Sequence, residues 1–352
     1  NCRGIKYIDK EGNYVDMGAF SRIEKVDEIP WPAWDLVSLQ PYWASQKSHG
    51  PSTYRDMPIM ASRGCPYQCT FCSSPQMWTT RYILRGVDDV LNEIQHYIDK
   101  YGITSLQFYD LTAITKKSWT VDFCTKMMER GIRIQWSLPS GTRSEVLDEE
   151  VLPLLAKTRC TYLVYAPESG SPETLKRIKK RINLDRFTRS IKIAVANGLI
   201  LRINLIIGFP FETRRHIYQT ILYGWKLVLM GAEEAVVNLF SPYPGSELFR
   251  ELDSEKKITL NDDYFYSLTS LNGDYTNFSP VTFCKNIGSR ELAFYRIFSL
   301  ASNYFLGYLF FPRRIFRMLK GLIKPGVSAT IFERRMQDLF KRKRADAGNF
   351  LR

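Results

Sequence analysis

No run of about 18 uninterrupted apolar residues occurs in the sequence, so no segment reads as a membrane-crossing helix. Nothing in it reads as a signal peptide. Histidine is scarce, with three in 352 residues, which leaves little material for an imidazole-based zinc site. The seven cysteines are odd in number and unevenly spaced, which does not read as a disulfide framework. A reducing, cytoplasmic setting is therefore the expectation. A core is not lacking. With 45% hydrophobic and 24% charged residues the chain has the proportions of a globular protein, which excludes wholesale disorder. Its length suits one large α/β barrel with appendages or two domains. A start at Asn1 rather than Met reads as a piece of a longer protein.

Carboxylates are also in short supply, but unevenly. Of the net charge of +13, a surplus of ten falls at residues 290–352, where fourteen Lys/Arg face four Asp/Glu. A basic terminal region suits nucleic acid, an anionic membrane surface or simple solubility. Residues 292–322 mix aromatic and aliphatic residues with Arg313, Arg314, Arg317 and Lys320. That pattern fits peripheral membrane contact, or, the plainer reading, a helical subdomain packed on the barrel. Lys341-Arg342-Lys343-Arg344 lacks a recognisable RNA-binding module around it, so nucleic acid is not the expected partner.

Three of the cysteines stand in one stretch, Ser62-Arg63-Gly64-Cys65-Pro66-Tyr67-Gln68-Cys69-Thr70-Phe71-Cys72. Thiolates are soft ligands suited to iron and zinc, and this spacing lets one loop wrap a metal site. A closed zinc site takes four protein ligands, and no fourth is near: the nearest His is His49 and the next Cys is Cys124. Three thiolates suit a 4Fe–4S cluster with one iron left open; a zinc loop and free thiols are the bland readings. Cys65-x-x-x-Cys69-x-x-Cys72, with Gly64 and Pro66 around the first cysteine and Phe71 before the last, resembles the signature of the radical S-adenosylmethionine (radical SAM) enzymes. The resemblance implies that Cys65, Cys69 and Cys72 are both metal ligands and catalytic residues. The open iron would chelate the amino and carboxylate groups of SAM, and the reduced cluster would release a 5′-deoxyadenosyl radical.

Strand and helix patterns then alternate at intervals of roughly 30 residues, which argues for parallel βαβ units. Strands are expected at 58–61, 103–109, 134–138, 161–166, 200–207 and 235–240. Helices are expected at 86–101, 118–129, 144–157 (N-capped by Ser144), 172–180, 185–197 and 213–230. Six units match the partial (β/α)6 TIM-type barrel that the family resemblance implies. The expected organisation is a connector at 1–57, a core at 58–250, and a capping region with a basic helical extension at 251–352. The segment Pro30-Trp31-Pro32-Ala33-Trp34-Asp35 is too rich in proline for a helix or a central strand. It reads as a linker packing its tryptophans on a neighbouring domain, and it is similar to the connector that follows a cobalamin-binding domain in many radical SAM proteins.

Chemistry in such barrels gathers at the C-terminal ends of the strands, and the resemblance supplies candidates there. Phe71 would lie near the adenine of SAM, or be a core aromatic. Asp110 stands where many relatives carry Gly-Gly-Glu and would receive the SAM ammonium, or cap a turn. Arg143 would pair with the SAM carboxylate or substrate, or be solvated. Glu168-Ser169-Gly170-Ser171 is similar to a run of the cobalamin-associated branch in which the Glu contacts SAM, so Glu168 and Ser169 are candidates. Arg202 and Asn204 share one face of their strand, and a bound SAM would partner them. Gly208-Phe209-Pro210 resembles the turn that cradles the adenine through its backbone, followed by Glu212 and Thr213 as helix-capping residues. Tyr243, after the sixth strand, would lie near adenine or substrate. Cys2, Cys124, Cys160 and Cys284 read as packing residues, and His96 and His216 receive no role.

The Asp-x-His-x-x-Gly motif of cobalamin domains is absent. Either cobalamin comes through a domain not present in this chain, or the enzyme works without it. The expectation is a radical SAM enzyme taking an electron from a flavodoxin or ferredoxin and methylating an unactivated carbon of a small-molecule or lipid substrate. An oxidative cyclase, a tRNA methylthiotransferase-like enzyme and a non-enzymatic iron–sulfur or zinc-binding module are the alternatives.

Overall fold

Residues 200–207 alternate in burial along their whole length: Leu201, Ile203, Leu205 and Ile207 are buried, whereas Arg202, Asn204 and Ile206 are partly open. A period of two places one set on each face of a strand, so this strand packs helices on one side and presents polar groups on the other. The computed structural model describes residues 3–19, 22–45, 50, 55–270, 277–323, 330, 333, 336 and 337.

The elements run β1 (Lys6–Ile8), β2 (Tyr14–Asp16), α1 (Gln40–Ser45), β3 (Asp56–Ile59), β4 (Ser62–Arg63), α2 (Ser74–Trp78), β5 (Ile83–Leu84), α3 (Val87–Tyr101) and β6 (Ser105–Phe108). They continue with α4 (Lys117–Glu129), β7 (Gln135–Thr142), α5 (Val151–Lys157), β8 (Cys160–Glu168), α6 (Pro172–Arg177), α7 (Leu184–Ala196), β9 (Ile200–Ile207), α8 (Arg214–Leu229) and β10 (Glu234–Leu239). Last come α9 (Glu247–Ser254), α10 (Asp262–Ser270), α11 (Ser289–Phe310) and α12 (Arg313–Ile323).

Six strands form one parallel sheet in the order β3-β6-β7-β8-β9-β10, so every crossover adds the next strand in sequence. With no reversal of order there is no switch point of the doubly wound kind. The result is the expected partial (β/α)6 TIM-type barrel. Trp136, Phe123 and Phe108 pack edge to face between β6, β7 and α4. The edge of β10 is covered by α11, where Asn303 donates to the Ala235 carbonyl at 2.8 Å and Tyr304 to Glu234 at 2.7 Å. A second core of Leu175, Ile178, Phe209, Phe240, Phe249 and Leu252 lies under α9 and α10, with Phe71 packed against it.

Two expectations are corrected. No single helix spans 144–157: a 3-10 turn at Ser144–Val146 comes first, and Asp148 accepts from the amides of Glu150 and Val151 to start α5 late. The helix expected to reach residue 180 ends at Arg177, because Lys179 turns left-handed (φ 55°) and the Lys180 amide reaches back to the Leu175 carbonyl. The two connector tryptophans reach the barrel. Trp31 donates to Asp89 and Trp34 to Tyr97, both on α3, and Asp35 pairs with Lys100.

Candidate active site

The cysteine loop is pinned at its base. Its two ends pair as β4 and β5, with Ser62 opposite Leu84 and Arg63 opposite Ile83. Gly64 turns the chain at φ +86°, where a Cβ would stand 2.2 Å from the Arg81 carbonyl, so only glycine fits. Two backbone bonds then stitch the loop to the far side of the barrel: Thr70 N–H donates to the Ile178 carbonyl at 3.1 Å, and Leu248 N–H to the Thr70 carbonyl at 3.0 Å. Behind the loop, the buried Asp110 carboxylate accepts from the Ala61 amide and the Ser62 hydroxyl. Burial pushes its pKa up to about 6 against those bonds. Asp110 thus helps to hold the loop through Ala61 N–H and the Ser62 hydroxyl.

Cys65, Cys69 and Cys72 are all free thiols at intermediate exposure. Among the described residues no three Cys, His, Asp or Glu side chains are drawn together as a finished coordination set. The donor chemistry nevertheless fits an iron–sulfur cluster: three soft ligands on one clamped loop. Thr70 Oγ1 in this loop and Ser241 Oγ after β10 are buried with no hydrogen-bond partner among the described residues, so unspent polar groups remain at this end of the barrel.

Around Cys69 the structure gathers three charged groups. Burial pushes the Cys69 thiol up while Lys180 and Arg143 pull the other way. Glu168, at the end of β8, sits at φ +70° and receives a 2.9 Å bond from Lys180, a strained backbone of the kind that collects at functional sites. Burial works against the Lys180 ammonium, but Glu168 and Cys69 outweigh it and raise its pKa. Arg143 lies 3.5 Å over the Tyr67 ring, pairs with Glu145 at 2.7 Å and donates to the Arg181 carbonyl. Lys180 and Tyr67 were not singled out from sequence. Lys180 is the inward member of the run Lys176-Arg177-Ile178-Lys179-Lys180-Arg181.

Other candidates are placed differently. Ser169 is buried, shares a 2.9 Å bond with Thr220 and accepts from Ser171 N–H. The small residues there admit α8 closely, since a Cβ on Gly170 would stand 2.4 Å from that of Tyr223. Phe71 and Phe209 meet at 5.9 Å between ring centres. The Gly208 and Phe209 amides both donate to the buried Glu212 carboxylate, Phe209 offers its carbonyl to the Glu212 amide, and Pro210 offers its own to Lys285 N–H. Most of the turn's backbone groups are therefore used internally. Glu212 is not a helix cap, and burial pushes its pKa up to about 7. Thr213 is the cap, in a box closed by His216. Arg202 bonds Asn204 at 3.0 Å and lies 3.6 Å from Glu234. Tyr243 is exposed on the turn before α9, where Gly245 packs against Gln76 of α2. Cys124 and Cys160 are core residues, Cys284 is half-buried, and Cys2 and His49 lie outside the described residues.

The comparisons with known proteins agree with this geometry. Residues 59–223 match the Radical SAM superfamily model. An uncharacterized methyltransferase of Pyrococcus horikoshii is 30% identical over 271 residues, 77% of this chain and 54% of that protein. The anaerobic magnesium-protoporphyrin IX monomethyl ester cyclase of Rubrivivax gelatinosus is 24% identical over 347 residues, 96% of this chain and 58% of that enzyme. The cobalamin-dependent S-adenosylmethionine radical enzyme OxsB, solved with aqua-cobalamin bound, has the same fold. Its TM-score is 0.62 at 14% identity, over 99% of this chain and 52% of that one. The chain spans about half the length of the curated relatives it matches. The family implies a 4Fe–4S cluster and SAM. With a clamped three-cysteine loop at the mouth of a six-stranded parallel barrel, this chain is a member of the radical SAM superfamily.

Proposed function

We propose that this chain is the catalytic part of an enzyme that cleaves SAM reductively and uses the radical to take hydrogen from an unactivated carbon. We assign it methyl transfer to that carbon, with cobalamin held by a domain outside this chain. The observation that carries the reading is the clamped loop of three free thiols facing the Glu168–Lys180 pair. The cluster, when bound, supplies the electron that breaks the carbon–sulfur bond of SAM. The chain's own part is to present three thiolates, to keep Lys180 and Arg143 beside Cys69 so that negative charge there is balanced, and to offer Glu168 to a polar ligand. The connector at 1–57, core at 58–250 and remainder at 251–352 belong to this reading as units.

A flavodoxin- or ferredoxin-type donor fits the surface beside the loop. Lys176, Arg177, Lys179 and Arg181 are exposed there, and the Ile178 carbonyl in their midst is the partner of Thr70. An acidic carrier would be steered to that patch. Methyl transfer is preferred because a methyltransferase is among the relatives with matching sequence. Ring closure is the second reading, favoured by the cyclase alignment over 96% of this chain.

The test is anaerobic reconstitution with iron and sulfide, followed by SAM and dithionite. Wild type should release 5′-deoxyadenosine and Cys69→Ala should not. A protein that takes up zinc and no sulfide would end the proposal. Label transferred from methylcobalamin to a substrate, or ring closure without it, separates the two readings.

A further inference from the structure

Helix α12 is amphipathic, and two of its cations, Arg314 and Arg317, are turned inward. Arg314 is buried and donates to the carbonyls of Gly231 and Ala232 at 2.9 and 3.1 Å, closing the C-terminal end of α8. Arg317 makes a two-pronged pair with Glu233 at 2.9 and 2.7 Å and reaches Glu333 at 2.9 Å. The apolar side is therefore turned to solvent: Phe316 is 71% exposed and Leu319 48%.

The exposure continues across two neighbouring helices. On α11, Phe294, Phe298, Phe305 and Leu309 are exposed at spacings of four, seven and four, one stripe along one face. On α8, which meets α11 through Trp225 and Phe298, Leu222 and Leu229 are exposed as well. Large apolar side chains left exposed on three adjacent helices point to an interaction surface.

Charge identifies what it meets. Helices α8 and α12 contain no carboxylate, nor does any position from 292 to 332. Glu291, at the start of α11, is already paired with Arg214 at 2.6 Å. Lys226, Arg313 and Lys320 are exposed on these helices with no carboxylate within ion-pair reach among the described residues. A second copy of this chain brought face to face would set these cations against their own kind, which disfavours self-association. No described helix is long and apolar enough to cross a membrane. We infer that the face formed by α8, α11 and α12 rests on an anionic lipid surface, its aromatic side chains in the headgroup region and its cations against the phosphates.

The test uses the full chain and needs no cluster, so it stands apart from the radical chemistry. Protein is sedimented with vesicles of phosphatidylcholine alone or with about one third phosphatidylserine, at low and high salt. The expected result is pelleting with the anionic vesicles only, weakened by salt. The pairs Phe305→Ser with Phe316→Ser, and Arg313→Glu with Lys320→Glu, should each lower partitioning at least about tenfold with the circular dichroism unchanged. All four side chains are exposed, and neither cation has a carboxylate partner among the described residues, so their replacement spares the fold. Equal pelleting with both vesicle types, or none with either, overturns the inference. So does a dimer in sedimentation velocity that the two Phe→Ser changes dissolve, because the face would then be a protein interface.

Discussion

Lys180 Nζ lies 2.9 Å from Glu168 Oε1, and the two side chains are 8% and 9% exposed. Both charges have left water, so each holds the other in place, and Cys69 lies within their field. The pair comes together because Lys179 adopts φ 55° and turns the next residue inward, while Glu168 itself stands at φ 70°. Two unfavourable backbone conformations are thus held to bring one cation and one carboxylate beside the cysteine loop.

Removing one member of the pair leaves a buried charge alone. Lys180→Met should cost about 3–5 kcal/mol in urea unfolding, and Glu168→Gln combined with Lys180→Met clearly less than the single Lys180 change. A double variant as unstable as the sum of the singles would show that the two do not act together.

Gly64→Ala places a methyl group against the Arg81 carbonyl at a left-handed position. The β4–β5 clamp should open, and iron and sulfide uptake should fall several-fold while the far-UV spectrum stays native. Gly131, left-handed with open space around it, is the control. Its change to Ala should cost about 1 kcal/mol of stability and leave cluster content alone.

Cys124 separates packing cysteines from ligands. Cys65→Ala, Cys69→Ala and Cys72→Ala should each abolish a stable cluster, read as bound iron and charge-transfer absorbance. Cys124→Ala should bind a full complement and lose only about 1 kcal/mol, since Cys124 sits in the core with Thr158 as its neighbour. Iron loss in the Cys124 variant would contradict the assignment.

Glu212 carries a pH dependence of defined sign. Burial raises its carboxyl from 4.5 to about 7, so the native state holds that proton more tightly than the unfolded chain. Its unfavourable contribution is absent below about 4.5, grows as pH rises, and is complete above about 7, where it amounts to roughly 3 kcal/mol. Stability measured from pH 4.5 to 8, as the difference between wild type and Glu212→Gln, should move against wild type through that window. A flat difference would mean that the turn amides already hold the charge.

The alternation of six strands with helices, the three-cysteine loop and the family were legible in the residues alone. Each rests on local pattern: period two at 200–207, helical spacing at 86–101, and ligand spacing at 65–72. Tertiary structure decided the partners. Asp110 reads as a free strand-end carboxylate, yet Ala61 and Ser62 take it, because β3 and β6 are neighbours in the sheet. Ser169 meets Thr220, and Gly170 lets α8 approach closely, contacts that spacing does not show. Glu212 reads as a cap, and the turn four residues earlier claims it. Lys180, to which the sequence assigns no role, is turned inward by a left-handed residue. Sequence spacing reports which face of an element a side chain occupies. Which group a buried charge meets depends on contacts between residues far apart in the chain, and the cost of leaving it unpaired makes that meeting obligatory.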